Sequence, residues 1–168
     1  MVAAQKVGCD LRQRCGSGVS QIGISRAALL LLAASSLLRA DTYYVTIAGL
    51  GGEQEYEQRF TGWASEIDKI LKNEPGAKVT VLSGPQATKA AIAAKLTEIA
   101  KASKPDDHFV LMLIGHGTFD ESDYKFNIPG PDLTATELGS LLDKIPAQQA
   151  VIDMTSASGG ATPLLQKP

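Results

Sequence analysis

A histidine and two serines stand in small-residue segments that each follow an apolar run of the chain. His116 is flanked by glycines and stands two residues after the end of His108–Ile114, while Ser156 and Ser158 follow Gln149–Asp153. A serine hydroxyl is a weak nucleophile that becomes reactive when a histidine accepts its proton and a third group orients that histidine. These residue types at the ends of two apolar runs therefore indicate hydrolytic chemistry, with either serine as a candidate.

Strand and helix patterns alternate through the chain from Asp41 onward. The sequence predicts strands at 43–48, 78–82, 108–114 and 149–153, helices at 53–73, 88–102 and from 134 to about 146, and a small hairpin within 119–128. Such alternation predicts a mostly parallel sheet with helices on both faces, a three-layer α/β/α fold. Ligand sites of such sheets lie beyond the carboxyl ends of the strands. His116 and the two serines are therefore expected to face one crevice if their strands are neighbours.

The same segments resemble the caspase-like cysteine peptidases, which include caspases, metacaspases and legumain-type enzymes. The resemblance rests on Leu111–Gly117, an apolar strand ending in His-Gly, and on Val151–Gly160, a strand ending in an Ala-Ser-Gly-Gly loop. An Asp-bearing excursion and a Leu-rich helix separate the two segments, as in that family. The resemblance covers about residues 42–165 and implies a flavodoxin-like strand arrangement. Matching the caspase pattern Gln-Ala-Cys-x-Gly puts Ser158 at the position of the cysteine.

The resemblance also implies a role for each matched residue. His116 would be the acid–base partner, Ser158 would occupy the nucleophile position, and the amides of Gly117 and Ser158 would hold the oxyanion. Ser156 is a competing candidate for the nucleophile. Two departures from the family stand out, because serine replaces the cysteine and the sequence ends soon after it. The domain is accordingly expected to be incomplete at its C-terminus.

The resemblance predicts a caspase-like domain that has lost its nucleophile and acts, if at all, by binding a peptide or protein segment. The alternative is a hydrolase that uses a Ser158–His116 dyad, with Asp153 or Asp120 as the group that orients the histidine. We expect no cofactor and no metal. Asp120, Glu121 and Asp123 lack the spacing of a calcium-binding loop and are expected to form a solvated face.

A third alternative is an unrelated flavodoxin-like module that binds an anion or a nucleotide. It rests on Gly49–Gly52, which follow the first predicted strand and precede a helix. The dinucleotide fingerprint requires another glycine where Gln54 stands, so a tight strand-to-helix turn is the expectation there. On the following helix, Trp63 has helical spacing with Phe60 and Ile67 and is predicted to be in the core.

Residues 1–40 have the pattern of a cleavable signal peptide. Basic residues extend to Arg26, the apolar run Ala27–Leu38 is too short to span a bilayer, and Ala40 supplies a small residue before a cut at Asp41. We therefore expect an exported protein, periplasmic or secreted, with no membrane span after cleavage. Both cysteines lie in the leader, so the mature chain would have no thiol. Residues 41–168 hold eleven cations and seventeen anions, a net charge of −6 that argues against a nucleic-acid partner.

Overall fold

Four parallel strands form the central sheet of the computed structural model, which describes residues 40–166. The leader predicted at residues 1–40 therefore lies outside the described residues, apart from Ala40. The strands within these residues are β1 (Thr42–Ala48), β2 (Ala77–Leu82), β3 (His108–Gly115), β4 (Gly117–Phe119), β5 (Tyr124–Phe126), β6 (Leu133–Thr134) and β7 (Gln148–Thr155). The sheet order is β2-β1-β3-β7, and all three pairs are parallel. This is the order of the first four parallel strands in a flavodoxin-like sheet.

Four helices connect or follow these strands. They are α1 (Gln54–Leu71), α2 (Lys89–Ala102), α3 (Ala135–Leu142) and α4 (Thr162–Leu165), with short 3₁₀ turns at Gly84–Gln86 and Ser158–Gly160. Thr88 caps α2 by accepting a hydrogen bond from the N–H of Ala91. Thr134 and Glu137 form a reciprocal capping box at the start of α3, as their spacing in the sequence predicts.

The two faces of the sheet carry separate cores. On one face, alternate residues of β1 and β3 pack against α2 and α3 around Phe109, Leu111 and Leu113. On the other face, α1 packs through Phe60 and Ala64 onto Ala48 and Ile114. Successive side chains of β3 point alternately into the two cores. This burial on both faces explains why β3 is apolar along nearly its whole length. The predicted three-layer α/β/α fold is confirmed.

The prediction that Trp63 lies in the core is wrong. Its side chain is 48% exposed and touches the ring of Phe60, with the centroids 6.0 Å apart. Within the described part of the chain, α1 is the one helix on its face of the sheet. Side chains of α1 that lie beside its buried residues therefore have no second helix to pack against. Helical spacing in the sequence does not show whether such a second helix exists.

Strand β7 lies at one edge of the sheet and carries an apolar, solvent-facing side. Ile152 is 45% exposed and Met154 is 47% exposed, whereas Val151, directly before Ile152, packs against the core on the opposite face. An apolar edge at this strand is what the sequence predicts for a sheet that ends there.

The segment between β3 and α3 forms a small antiparallel sheet. It consists of β4, β5 and β6 and contains the predicted hairpin. Nowhere in residues 40–166 is there a helix with the length and apolar character needed to cross a membrane.

Candidate active site

The register between β3 and β7 brings the histidine and serine segments together. The two strands are parallel neighbours, and Gly115 pairs with Thr155 at their carboxyl ends. His116 and Ser156 each stand one residue beyond this pair. The expectation that the histidine and the serines meet beyond the sheet therefore holds for His116 and Ser156, whereas Ser158 has no hydrogen bond to His116 in the described chain.

Ser156, His116 and Gly117 form a hydrogen-bonded group. The Oγ of Ser156 lies 3.4 Å from Nδ1 of His116, and the N–H of Gly117 donates to the same Oγ at 3.1 Å. The contact between hydroxyl and imidazole is long for a hydrogen bond, and such contacts tighten in many enzymes when substrate binds. The geometry permits the imidazole to accept the hydroxyl proton and places one backbone amide beside the reacting oxygen.

Two aromatic side chains from α1 form a wall beside His116. The ring of Tyr56 lies 5.3 Å from the imidazole and that of Phe60 lies 5.2 Å away, both edge to face at 71°. Phe60 is buried and Tyr56 is 38% exposed, so the imidazole lies between a core residue and a surface residue. Sequence reasoning did not assign either residue to the site. The sequence feature that could have identified them is their four-residue spacing. It places both on one face of the helix that follows the first strand.

Ser158, the serine that the resemblance places at the nucleophile position, is not the one hydrogen-bonded to His116. Ala157 takes a left-handed conformation (φ 62°, ψ 16°), and Ser158 begins the 3₁₀ turn that follows. Ser158 instead lines a groove of about 510 Å³ beside β7, together with Val151, Asp153 and Leu165. Among the hydrogen bonds of residues 40–166, none joins Ser158 to the histidine. The local sequence match favoured Ser158, but the turn at Ala157 carries it away from the crevice and leaves Ser156 at the histidine.

Neither of the two carboxylates proposed to orient the imidazole does so in the described part of the chain. Asp153 accepts hydrogen bonds from the N–H and the Oγ1 of Thr155, at 3.1 and 2.7 Å. Asp120 binds Lys125 and Ser122 within its own loop, and the Lys125 ammonium is the main reason that the pKa of this carboxyl lies well below its ordinary value. The site is therefore a serine–histidine pair without the third member of a triad.

A buried pair of hydrogen-bonded side chains, Tyr124 and Thr155, lies next to the candidate site. The hydroxyl of Tyr124 is hydrogen-bonded to Thr155 Oγ1, and burial raises the pKa of Tyr124 to about 12. Gly117 lies directly over this pair. A Cβ at this glycine would stand 2.5 Å from the Tyr124 ring and 2.6 Å from the carbonyl oxygen of Ser156. Only glycine therefore brings the amide of residue 117 close enough to Ser156.

The glycines after β1 form a tight connection rather than an anion site. The N–H of Gly49 donates to the Ile114 carbonyl, and a Cβ at Gly51 would stand 2.3 Å from the backbone nitrogen of Glu57. The first turn of α1 carries Glu55 and Glu57, and negative charge there opposes a bound anion.

Residues 40–166 contain no group of three or more histidine, cysteine, aspartate or glutamate side chains that could hold a metal ion.

Comparison with known proteins supports the fold. No family model and no curated protein matches the sequence. A solved structure that does match is the crystal structure of protein GSU0716 from Geobacter sulfurreducens, with a TM-score of 0.51 and 21% sequence identity. The match covers 70% of this chain and 50% of that chain, so this chain spans about half the length of the structure it resembles. At this identity the similarity shows the α/β fold alone.

Proposed function

We propose that this chain is an exported caspase-like domain that binds a peptide segment at Ser156, His116 and Gly117 and hydrolyses it poorly or not at all. The observation that carries the proposal is the placement of Ser156 Oγ between the imidazole of His116 and the amide of Gly117. These are the three groups that the resemblance implies for a caspase-like site, with Ser156 in the nucleophile position in place of Ser158.

Two features of the site favour binding over catalysis. First, no carboxylate in the described chain orients His116, and removing that orienting group from a serine–histidine–aspartate triad lowers kcat by about 10⁴. Second, the N–H of Gly117 donates to the serine oxygen itself. This donation engages the lone pairs with which the hydroxyl would attack, and it directs the amide away from the place of a carbonyl oxygen.

A second function is a slow hydrolase that uses a Ser156–His116 dyad. The 3.4 Å contact between hydroxyl and imidazole favours it, since that contact is the geometry a general base requires. This dyad replaces the Ser158–His116 dyad that the sequence alone suggested.

A cysteine exchange at each serine tests the proposed site. Without its leader the chain contains no cysteine, so Ser156→Cys and Ser158→Cys each introduce a single thiol. A thiol beside His116 should have a lowered pKa, and we expect iodoacetamide to alkylate Cys at position 156 about tenfold faster at pH 7 than at position 158. His116→Ala should abolish the difference. Equal rates for the two thiols would show that position 156 is not a nucleophile position.

The same variants separate binding from hydrolysis. We expect Ser156→Cys, and not Ser158→Cys, to cleave fluorogenic peptide amides and to be inactivated by peptide chloromethyl ketones. Turnover by the parent protein at a rate similar to that of Ser156→Cys would reject the binding proposal in favour of the hydrolase.

A further inference from the structure

A buried carboxylate stands at the end of the sheet opposite the candidate active site. Asp107, directly before β3, is 4% exposed. Its Oδ1 accepts a hydrogen bond from the N–H of Asp41 at 2.9 Å, and its Oδ2 accepts one from the N–H of Lys104 at 2.8 Å. Both partners are neutral backbone amides.

Asp107 has no ion-pair partner among residues 40–166. Lys78 lies on β2, which is separated from β3 by β1, and its ammonium binds the side chain of Asp41 at 2.6 Å. Lys104 and Lys78 act on Asp107 only at longer range. Buried aspartates in proteins are nearly always paired with a cation or a metal. The missing partner is the unusual feature of this site.

We infer that Asp107 is the receptor for the amino terminus that is created when the leader is cut between Ala40 and Asp41. In that reaction a leader peptidase adds water across the Ala40–Asp41 peptide bond. Ala40 leaves with a carboxylate, and the nitrogen of Asp41 becomes an amine that takes up a proton at neutral pH. The ammonium then occupies the position of the N–H that already points at Asp107. The inference depends on the proposed export and not on the chemistry at Ser156.

The surrounding backbone holds Asp41 in place for this contact. The carbonyl of Asp41 accepts a hydrogen bond from the N–H of His108 at 2.9 Å, and the carbonyl of Asp107 accepts one from Gln148 at 2.9 Å. Hydrogen bonds of Asp41 and Asp107 therefore link the first residues of β1, β3 and β7. Hydrogen bonds between charged groups are about twice as strong as neutral ones. Cleavage would thus strengthen the hydrogen bond that the backbone nitrogen of Asp41 already makes to Asp107.

The expected pH dependence follows from the groups around Asp107. The charged and titratable groups nearby are Lys78 on β2, the side chain of Asp41 directly before β1, Lys104 from the loop after α2, and Asp106 and His108 on either side of Asp107 in the chain. An ammonium paired with Asp107 should have a pKa above the 7.7–8.0 of an ordinary amino terminus. Its stabilisation is then complete below about pH 8 and is lost as the pH rises through the higher, folded-state pKa.

The experiment compares chains that begin at Asp41 and at Ala40. Residues 40–166 belong to one compact unit, which holds every strand of the described chain and both cores. Residues 41–168 and 40–168 are each released from an N-terminal fusion by a protease that leaves no extra residue. Acetylation of the α-amine at pH 7 is followed by mass spectrometry of the N-terminal peptide. We expect acetylation to be about tenfold slower in 41–168, because one pKa unit changes the free-amine fraction tenfold.

Two variants of the 41–168 chain and one thermal measurement complete the test. Asp107→Asn should restore the rate of the 40–168 chain, and Asp106→Asn, which removes an exposed neighbouring charge, should not. The melting temperature of 41–168 should fall by about 3 °C more than that of 40–168 between pH 7 and 9.5. Equal acetylation rates in the two folded parent chains would overturn the inference, and this comparison holds even if Asp107→Asn does not fold.

The processed protein itself supplies the last measurement. The full chain is expressed in an export-competent cell, and the amino terminus of the exported form is sequenced, with Asp41 expected as its first residue. A different first residue would overturn the inference and would leave the Ser156 site untouched. Conversely, an unreactive Ser156→Cys variant would reject the proposed site and leave the Asp107 contact standing.

Discussion

Ser156 Oγ stands 3.4 Å from Nδ1 of His116, across the gap between the ends of two neighbouring parallel strands. Forty residues separate the two in the chain, and the register of β3 with β7 alone brings them together. The edge-on rings of Tyr56 and Phe60 support the imidazole on its other side. A serine hydroxyl, an imidazole and a backbone amide therefore meet at one point, and no carboxylate of residues 40–166 is hydrogen-bonded to the histidine.

Fluorophosphonate labelling decides whether the serine pair is chemically active. We expect folded residues 41–168 to label little or not at all, because no carboxylate in the described part of the chain orients His116. If labelling occurs, Ser156→Ala and His116→Ala should abolish it and Ser158→Ala should not. Labelling that depends on Ser158 would contradict the geometry described above.

Gly117→Ala should disrupt the site by steric overlap. The new Cβ would stand 2.5 Å from Tyr124, which is fully buried, and 2.6 Å from the carbonyl oxygen of Ser156. We expect a loss of about 1–3 kcal/mol in the free energy of unfolding, measured by urea denaturation. Gly159→Ala is the matched control, since a Cβ there meets nothing within 4 Å. A Gly117→Ala protein as stable as that control would show that the backbone moves freely at this position.

Two adjacent positions of β7 test the exposed edge of the sheet. Ile152 is 45% exposed, so Ile152→Lys should change the free energy of unfolding by less than about 0.5 kcal/mol and should reduce self-association at high concentration. Val151 packs against the core on the opposite face, and Val151→Lys should lower stability by more than 2 kcal/mol or so. Light scattering and urea denaturation measure the two effects. Equal destabilisation by both would mean that β7 is covered on both faces.

The stability of the fold should depend on the charge of Asp107 in acid. Hydrogen bonds from the amides of Asp41 and then Lys104 lower the pKa of this carboxyl below its ordinary value. A lowered folded-state pKa stabilises the protein above about pH 4, and that stabilisation is lost as the pH falls through the folded-state pKa. Asp107→Asn should cost about 1–3 kcal/mol at pH 7 and less at pH 3, measured by urea denaturation at both values. Asp106→Asn should show no such pH dependence, and the same loss for Asp107→Asn at both values would exclude the carboxylate charge as the cause.

The sequence alone predicted most of the secondary structure and the layered fold, because those features depend on local patterns. The apolar run of β3 required a strand buried on both faces, and the Thr134–Glu137 spacing marked the start of α3. The glycines around His116 and the small residues around the serines marked the correct end of the sheet. The caspase-like assignment, the peptide partner and the export remain predictions that the experiments above address.

Tertiary structure decided the contacts between distant segments, since these depend on register and on local backbone turns rather than on composition. Ser156 and Ser158 stand on either side of Ala157 in the sequence, and the left-handed turn at Ala157 is what leaves only the first of them at His116. Trp63 has the spacing of a core residue, yet the absence of a second helix on its face of the described sheet leaves it exposed. Asp41 and Asp107 are 66 residues apart, and their contact exists because β1 and β3 begin side by side at the same edge of the sheet.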